Sequence, residues 1–166
     1  MAKELKSSLR GHLMNLLRMK GAHLSFQEAV KDFPEELRGR KPEGAPHTAW
    51  QLLEHLRIAQ EDILDFSRNK DYQAKKWPDD YWPKDEAPPS AEAWDESVKQ
   101  FERDLKTMEA LTNDTKHDLL AEIAHGKGQT LLREALLMAD HNSYHLGQLV
   151  YLRKTLEGSG IKSKTQ

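Results

Sequence analysis

Apolar residues recur along this chain at helical spacing in four long segments. Leu5, Leu9, Leu13 and Leu16 draw one stripe on a helix from about Lys3 to Lys20, which Gly21 stops. A second helix runs from Thr48 to about Asn69, with its stripe on Leu52, His55, Leu56, Ala59, Ile63 and Phe66. A third opens at Ser90 and carries Trp94, Val98, Phe101, Leu105 and Met108 at regular steps of three and four, ending near Leu111. The fourth spans roughly Gln129 to Glu157, with Leu131, Ala135, Met138, His145, Leu149, Leu152 and Leu156 in register and Gly158 as its stop.

The punctuation between these segments supports the same division. Ser25-Phe26-Gln27-Glu28 reads as a capping box that opens a short helix, bent or ended by Pro34, and Thr48-Ala49-Trp50-Gln51 reads as another. Arg38 to Pro46 holds two prolines and two glycines and is a loop. Asp71 to Pro89 is a long connection with the aromatic run Trp77-Pro78-Asp79-Asp80-Tyr81-Trp82-Pro83, which suggests a segment packed on the body. Thr112 to Gly128 reads as a turn, a short helix over about 117–124 and a glycine-bounded loop. No segment alternates at period two. The expected fold is therefore an all-α four-helix bundle with long connections between helices 1 and 2 and between helices 2 and 3, either of which could cross the bundle. One domain over residues 1–157 and a flexible tail over 158–166 are expected.

Composition narrows the function classes. Of 166 residues, 31% are charged, with 25 basic against 27 acidic side chains, and no basic stripe stands out to favour nucleic acid. Cysteine is absent, which removes disulfides, thiolate metal sites and a cysteine nucleophile; any thiol chemistry needs a thiol from outside the protein. The first residues lack the apolar core of a signal peptide, and the longest apolar run, 135–139, is far too short for a bilayer. A cytoplasmic protein acting on a small molecule, without a nucleic-acid or membrane partner, is the expectation; a homodimer is compatible with it.

The candidate chemistry lies on the apolar stripes. His55 stands on the second helix, and His141 and His145 stand four residues apart on the fourth. Eight histidines give roughly 0.3 such pairs by chance, so the pair alone is a weak motif. Position strengthens it. His145 lies seven residues from both Met138 and Leu152, where a leucine is expected unless the ring nitrogens have partners, because an unpaired buried polar group costs about 1–3 kcal/mol. Two readings stay open: the rings hydrogen-bond within the core, or they bind a divalent metal through three neutral ligands. The second leaves coordination positions open, as catalytic sites do. His12 between Leu9 and Leu16, Tyr144, and Gln148 one turn from His145 are candidates for substrate contacts. Glu54 and Asp140, each preceding a proposed ligand, are candidates to orient it or are merely solvated. His23, His47, His117 and His125 lie in loops or at helix ends and read as surface residues.

The run Ala139-Asp140-His141-Asn142-Ser143-Tyr144-His145-Leu146-Gly147-Gln148-Leu149, followed by Leu152-Arg153, resembles the last helix of the DinB/YfiT-like superfamily. Trp50-Gln51-Leu52-Leu53-Glu54-His55 resembles that family's first-ligand segment, and the likeness covers nearly the whole chain in length and helix order. The resemblance implies a bundle that holds one divalent ion, commonly zinc or nickel, through His55, His141 and His145. It further implies a metal-dependent enzyme, since characterised members include transferases and isomerases that use low-molecular-weight thiols such as bacillithiol or mycothiol. A thiol S-transferase acting on small electrophiles, or a hydrolase with the same ligands, would fit. The alternative is a non-catalytic stress-response protein that binds a metal or small ligand.

Overall fold

A computed structural model of the chain describes residues 2–158. Its elements are α1 (Ala2–Leu17), α2 (Phe26–Val30), a 3-10 turn (Glu35–Leu37), α3 (Ala49–Arg68), α4 (Ala91–Asn113) and α5 (Leu131–Gly158). Among the described residues there is no strand, only an isolated bridge between Glu122 and Thr130. The chain is all-α, and its four long helices are those read from periodicity. The caps are also as expected. Ser25 and Thr48 each complete a capping box, and Ser90 accepts from the Ala93 amide, so amides that open three of the helices have partners.

Three expectations change. The first concerns α1, whose buried face is Leu13, Met14 and Leu17, while Leu5 is 71% and Leu16 46% exposed. The leucines of this helix lie within about a third of its circumference, and the buried arc is rotated away from Leu5 and Leu16 toward Leu17 and Met14. Packing against α4 and α5, rather than the count of leucines, selected which of them face inward. The second concerns residues 117–124, which form turns instead of a short helix; Asp114 and Asp118 side chains accept from amides two residues on, at Lys116 and Leu120, a geometry that competes with helix. The third concerns the tail: α5 includes Gly158, and the remainder of the expected tail lies outside the described residues.

The packing gives the bundle its order. Helix α1 packs on α4 and α5, and α3 packs on the same two, so α1 and α3 lie across a diagonal. The connections that cross the bundle are therefore the first, through α2 and the 3-10 turn, and the last, over residues 114–130. The connection between α3 and α4 joins neighbours and uses its length otherwise, as a strap over the end of α3. Gly39 lets the two long loops meet, since a Cβ there would stand 2.6 Å from that of Ala87. Thr48 Oγ1 donates to the Glu86 carbonyl at 2.6 Å beside this contact. Inside the bundle Asn142 donates to Gln60 at 2.8 Å, and Gln60 donates to the Phe101 carbonyl at 2.6 Å, which ties α5, α3 and α4 through one buried polar chain.

Candidate metal centre

Helix α3 brings His55 to the bundle interior on the same face as Leu52, Leu56 and Ala59. Helix α5 brings His145 inward in line with Met138 and Leu152, and places His141 one turn away. The three rings converge. Nε2 of His55 lies 3.1 Å from Nε2 of His145 and 3.0 Å from Nε2 of His141. Within the group, one ligand atom of each residue lies within 4.8 Å of the others. His55 and His145 are buried, and His141 is partly so.

The outer nitrogens show what the inner ones can do. His55 Nδ1 lies 2.9 Å from the Tyr81 carbonyl oxygen, an atom that only accepts, so Nδ1 carries the proton. His145 Nδ1 donates in the same way to Oε1 of Gln148 at 3.0 Å. With the Gln148 oxygen facing His145 Nδ1, the Nε2 atoms of His55 and His145 turn their lone pairs toward each other across 3.1 Å, an arrangement that a shared cation would relieve. Imidazole nitrogens about 2.0–2.1 Å from a common ion stand roughly 2.9–3.4 Å apart for bond angles between a right angle and the tetrahedral value. The two gaps to His55 fall in that range, and the third pair lies within 4.8 Å. Nδ1 of His141 is buried and without a hydrogen-bond partner.

Electrostatics keeps these rings neutral. Burial pushes His55 down to about 4; the Tyr81 carbonyl opposes the shift, and the nearby His145 and His47 add to it. His141 is likewise pushed down to about 4 by burial and by the two other rings. Burial also lowers His145, against the pull of Gln148. Lone pairs are thus available at neutral pH, the form a metal requires.

The strap closes over this cluster. Trp82 stacks on His55 with centroids 3.8 Å apart and planes within 3°, and on its other face stacks His47 at 3.8 Å and 13°. Tyr81 and Tyr72 donate their hydroxyls to the two carboxylate oxygens of buried Asp62, at 2.7 and 3.0 Å, which pins the strap to α3. His47 is therefore half-buried against the site, not solvated as its loop position suggests. The aromatic run from Trp77 to Trp82 was the signal for this cover, but sequence offered no partner for it. Trp77 itself is 66% exposed.

The family model of the DinB superfamily matches residues 20–149, which take in all three histidines. The chain belongs to the DinB superfamily. No curated protein and no solved structure was found to match it. The DinB match begins after α1 and ends within α5, so it covers the two ligand-bearing segments and the strap between them.

The other candidate residues separate. Gln148 touches His145 as described, and Tyr144 meets the same ring edge-on with centroids 4.8 Å apart while staying 64% exposed. His12 is exposed on α1, off the buried face on which the leucine spacing had placed it. Glu54 is held by Arg57 and Ser97, and Asp140 is exposed, so Glu54 is engaged away from the rings. Beside the cluster lies a cavity of about 430 Å³ walled by Leu52 and Leu152 and by the loop over 42–47, with His47, Gln148, Tyr151 and Thr155 at its polar edge.

Proposed function

We propose that this chain is a divalent-metal-dependent enzyme that acts on a small molecule, with His55, His141 and His145 as the ligands of one ion, zinc or nickel. The observation that carries the reading is the placing of the two Nδ1 atoms against the oxygens of Tyr81 and Gln148, which leaves Nε2 of His55 and His145 facing one point. An ion held there supplies Lewis acidity, which lowers the pKa of a thiol or water at a position the three ligands leave open. A low-molecular-weight thiol is the favoured cosubstrate, because the thiol-using members that the family resemblance implies act in this way; the absence of cysteine from the chain is compatible with it. The reaction would then join the thiol sulfur to an electrophilic carbon, with the thiol proton released and the electron pair leaving on the group displaced from that carbon.

The chain's own residues supply position and dryness. The Tyr81 carbonyl and the Gln148 amide hold two rings in the ligating tautomer, and Trp82 shields the flat face of His55 from water. Neutral rings at physiological pH need no deprotonation before ligation.

The same cover favours a second reading, a non-catalytic protein that binds a metal or small ligand, because His55 is 1% exposed beneath Trp82. Elemental analysis and turnover separate the two. Close to one metal per chain in the purified protein, lost in His145→Ala and retained in His12→Ala, supports the site. Turnover of a panel of low-molecular-weight thiols with electrophiles by loaded protein supports the enzyme. Metal without turnover leaves the binding protein, and absence of metal overturns the enzyme and leaves only a protein that binds a small ligand.

A further inference from the structure

The cavity beside the histidines has a lining that specifies its guest. Leu52, Leu152, Ala45 and the prolines at 42 and 46 give it mostly apolar walls, and its volume of about 430 Å³ suits a molecule of drug-fragment size. Gln148 stands at its edge with an amide whose two ends are not equivalent. Oε1 is occupied by the proton on His145 Nδ1, so the donors of Nε2 are what the residue has to offer a guest. With a metal on His145 Nε2 the proton stays on Nδ1, and the amide cannot then turn over without placing its NH2 against it. A guest that bonds Gln148 must therefore accept.

We propose that this cavity binds a small, neutral, largely apolar molecule bearing a carbonyl or similar hydrogen-bond acceptor, with the acceptor on Nε2 of Gln148 and the apolar body between Leu52, Leu152 and the loop over 42–47. An anionic guest would meet the Glu43 carboxylate in the lining, and the otherwise mainly hydrocarbon wall favours an uncharged body. Gln148 also links the cavity to the metal centre, since the same amide fixes His145. The inference rests on the metal-enzyme reading only in treating the molecule as the electrophilic substrate; the binding itself is a property of the cavity.

The test uses a matched pair of probes, propiophenone and propylbenzene, which share a phenyl ring and a three-carbon chain and differ in the carbonyl. Binding is read by calorimetry and saturation-transfer NMR on the full chain, with and without added zinc. Propiophenone is expected to bind saturably and about fivefold more tightly than propylbenzene, the effect of one ordinary hydrogen bond. Gln148→Leu is expected to erase that difference, with Gln148→Met as a second variant in case the first folds poorly. Ala45→Phe or Thr155→Phe, which fill the cavity, are expected to weaken both probes at least tenfold. Equal binding of the two probes to the natural chain, discrimination that survives in both Gln148 variants, or undiminished binding to both filled variants overturns the proposal. Probe binding by a protein that takes up no metal would leave the cavity assignment standing and remove only the metal-enzyme reading.

Discussion

The indole of Trp82 lies flat on the imidazole of His55, 3.8 Å between centroids and 3° between planes, although the two residues belong to different elements. This contact removes one face of a ligand ring from water and contributes to the burial that depresses its pKa. Trp82→Ala is therefore expected to raise the His55 pKa from about 4 toward the ordinary 6.5, measured by NMR titration of metal-free protein. An unmoved titration would mean that α3 and α5 alone desolvate the ring.

Gln148 orients His145 through a single hydrogen bond of 3.0 Å. Gln148→Leu leaves the Nδ1 proton without an acceptor and lets the other tautomer compete. Outer partners of metal-bound histidines typically affect affinity by about 10–100-fold, so the zinc dissociation constant is expected to rise by about that factor while the fold persists. Competition with a chromogenic chelator measures it, and an unchanged constant would detach Gln148 from the centre.

The depressed histidines also make stability depend on pH. His55 and His141 stay neutral in the folded chain down to about 4, whereas the unfolded chain takes up protons near 6.5. Between those values the unfolded state holds more protons, so stability rises with pH across the window and is lost as pH falls through it. Urea melts of metal-free protein at about pH 7 and pH 5 are expected to show the lower midpoint at the acid value. Added zinc should steepen the fall, because protons and metal compete for the same nitrogens. A flat profile would mean that these rings are not held neutral by the fold.

Asp62 anchors the strap by accepting both the Tyr72 and Tyr81 hydroxyls, and burial together with the carboxylate pushes both phenols upward in pKa, Tyr72 to about 12. Asp62→Ala removes two bonds to a charged acceptor and is expected to cost about 2–3 kcal/mol in a denaturant melt. The larger consequence is local: amides over 72–82 should exchange with solvent faster, because the Tyr81 carbonyl no longer sits fixed over His55. Tyr72→Phe keeps one of the two bonds and should show a smaller change in both readouts. Unaltered exchange in Asp62→Ala would place the anchor elsewhere.

Regular stripes made much of this fold legible. On α4, Trp94, Phe101, Leu105 and Met108 face inward as their spacing required, and on α5 every residue of the predicted stripe is buried, His145 among them. Helix α1 was misread because the face that packs is rotated from the leucine stripe: the buried arc runs from Leu13 through Leu17 to Met14, and only the neighbouring helices fix that rotation. His47 was passed over for a related reason. A loop histidine carries no periodic signal, and its place against Trp82 depends on two loops meeting at Gly39 and Ala87.

By itself the order of residues determined the helices, their caps, and the placing of His141 and His145 four positions apart on one face, because all of these follow from local geometry that repeats every 3.6 residues. Only the tertiary structure decided that His55 meets that pair, that α1 and α3 lie on a diagonal, and that Tyr81 and Trp82 cover the centre. Those relations join residues distant in sequence. They depend on how whole faces pack and where long loops come to rest, and no local rule encodes either.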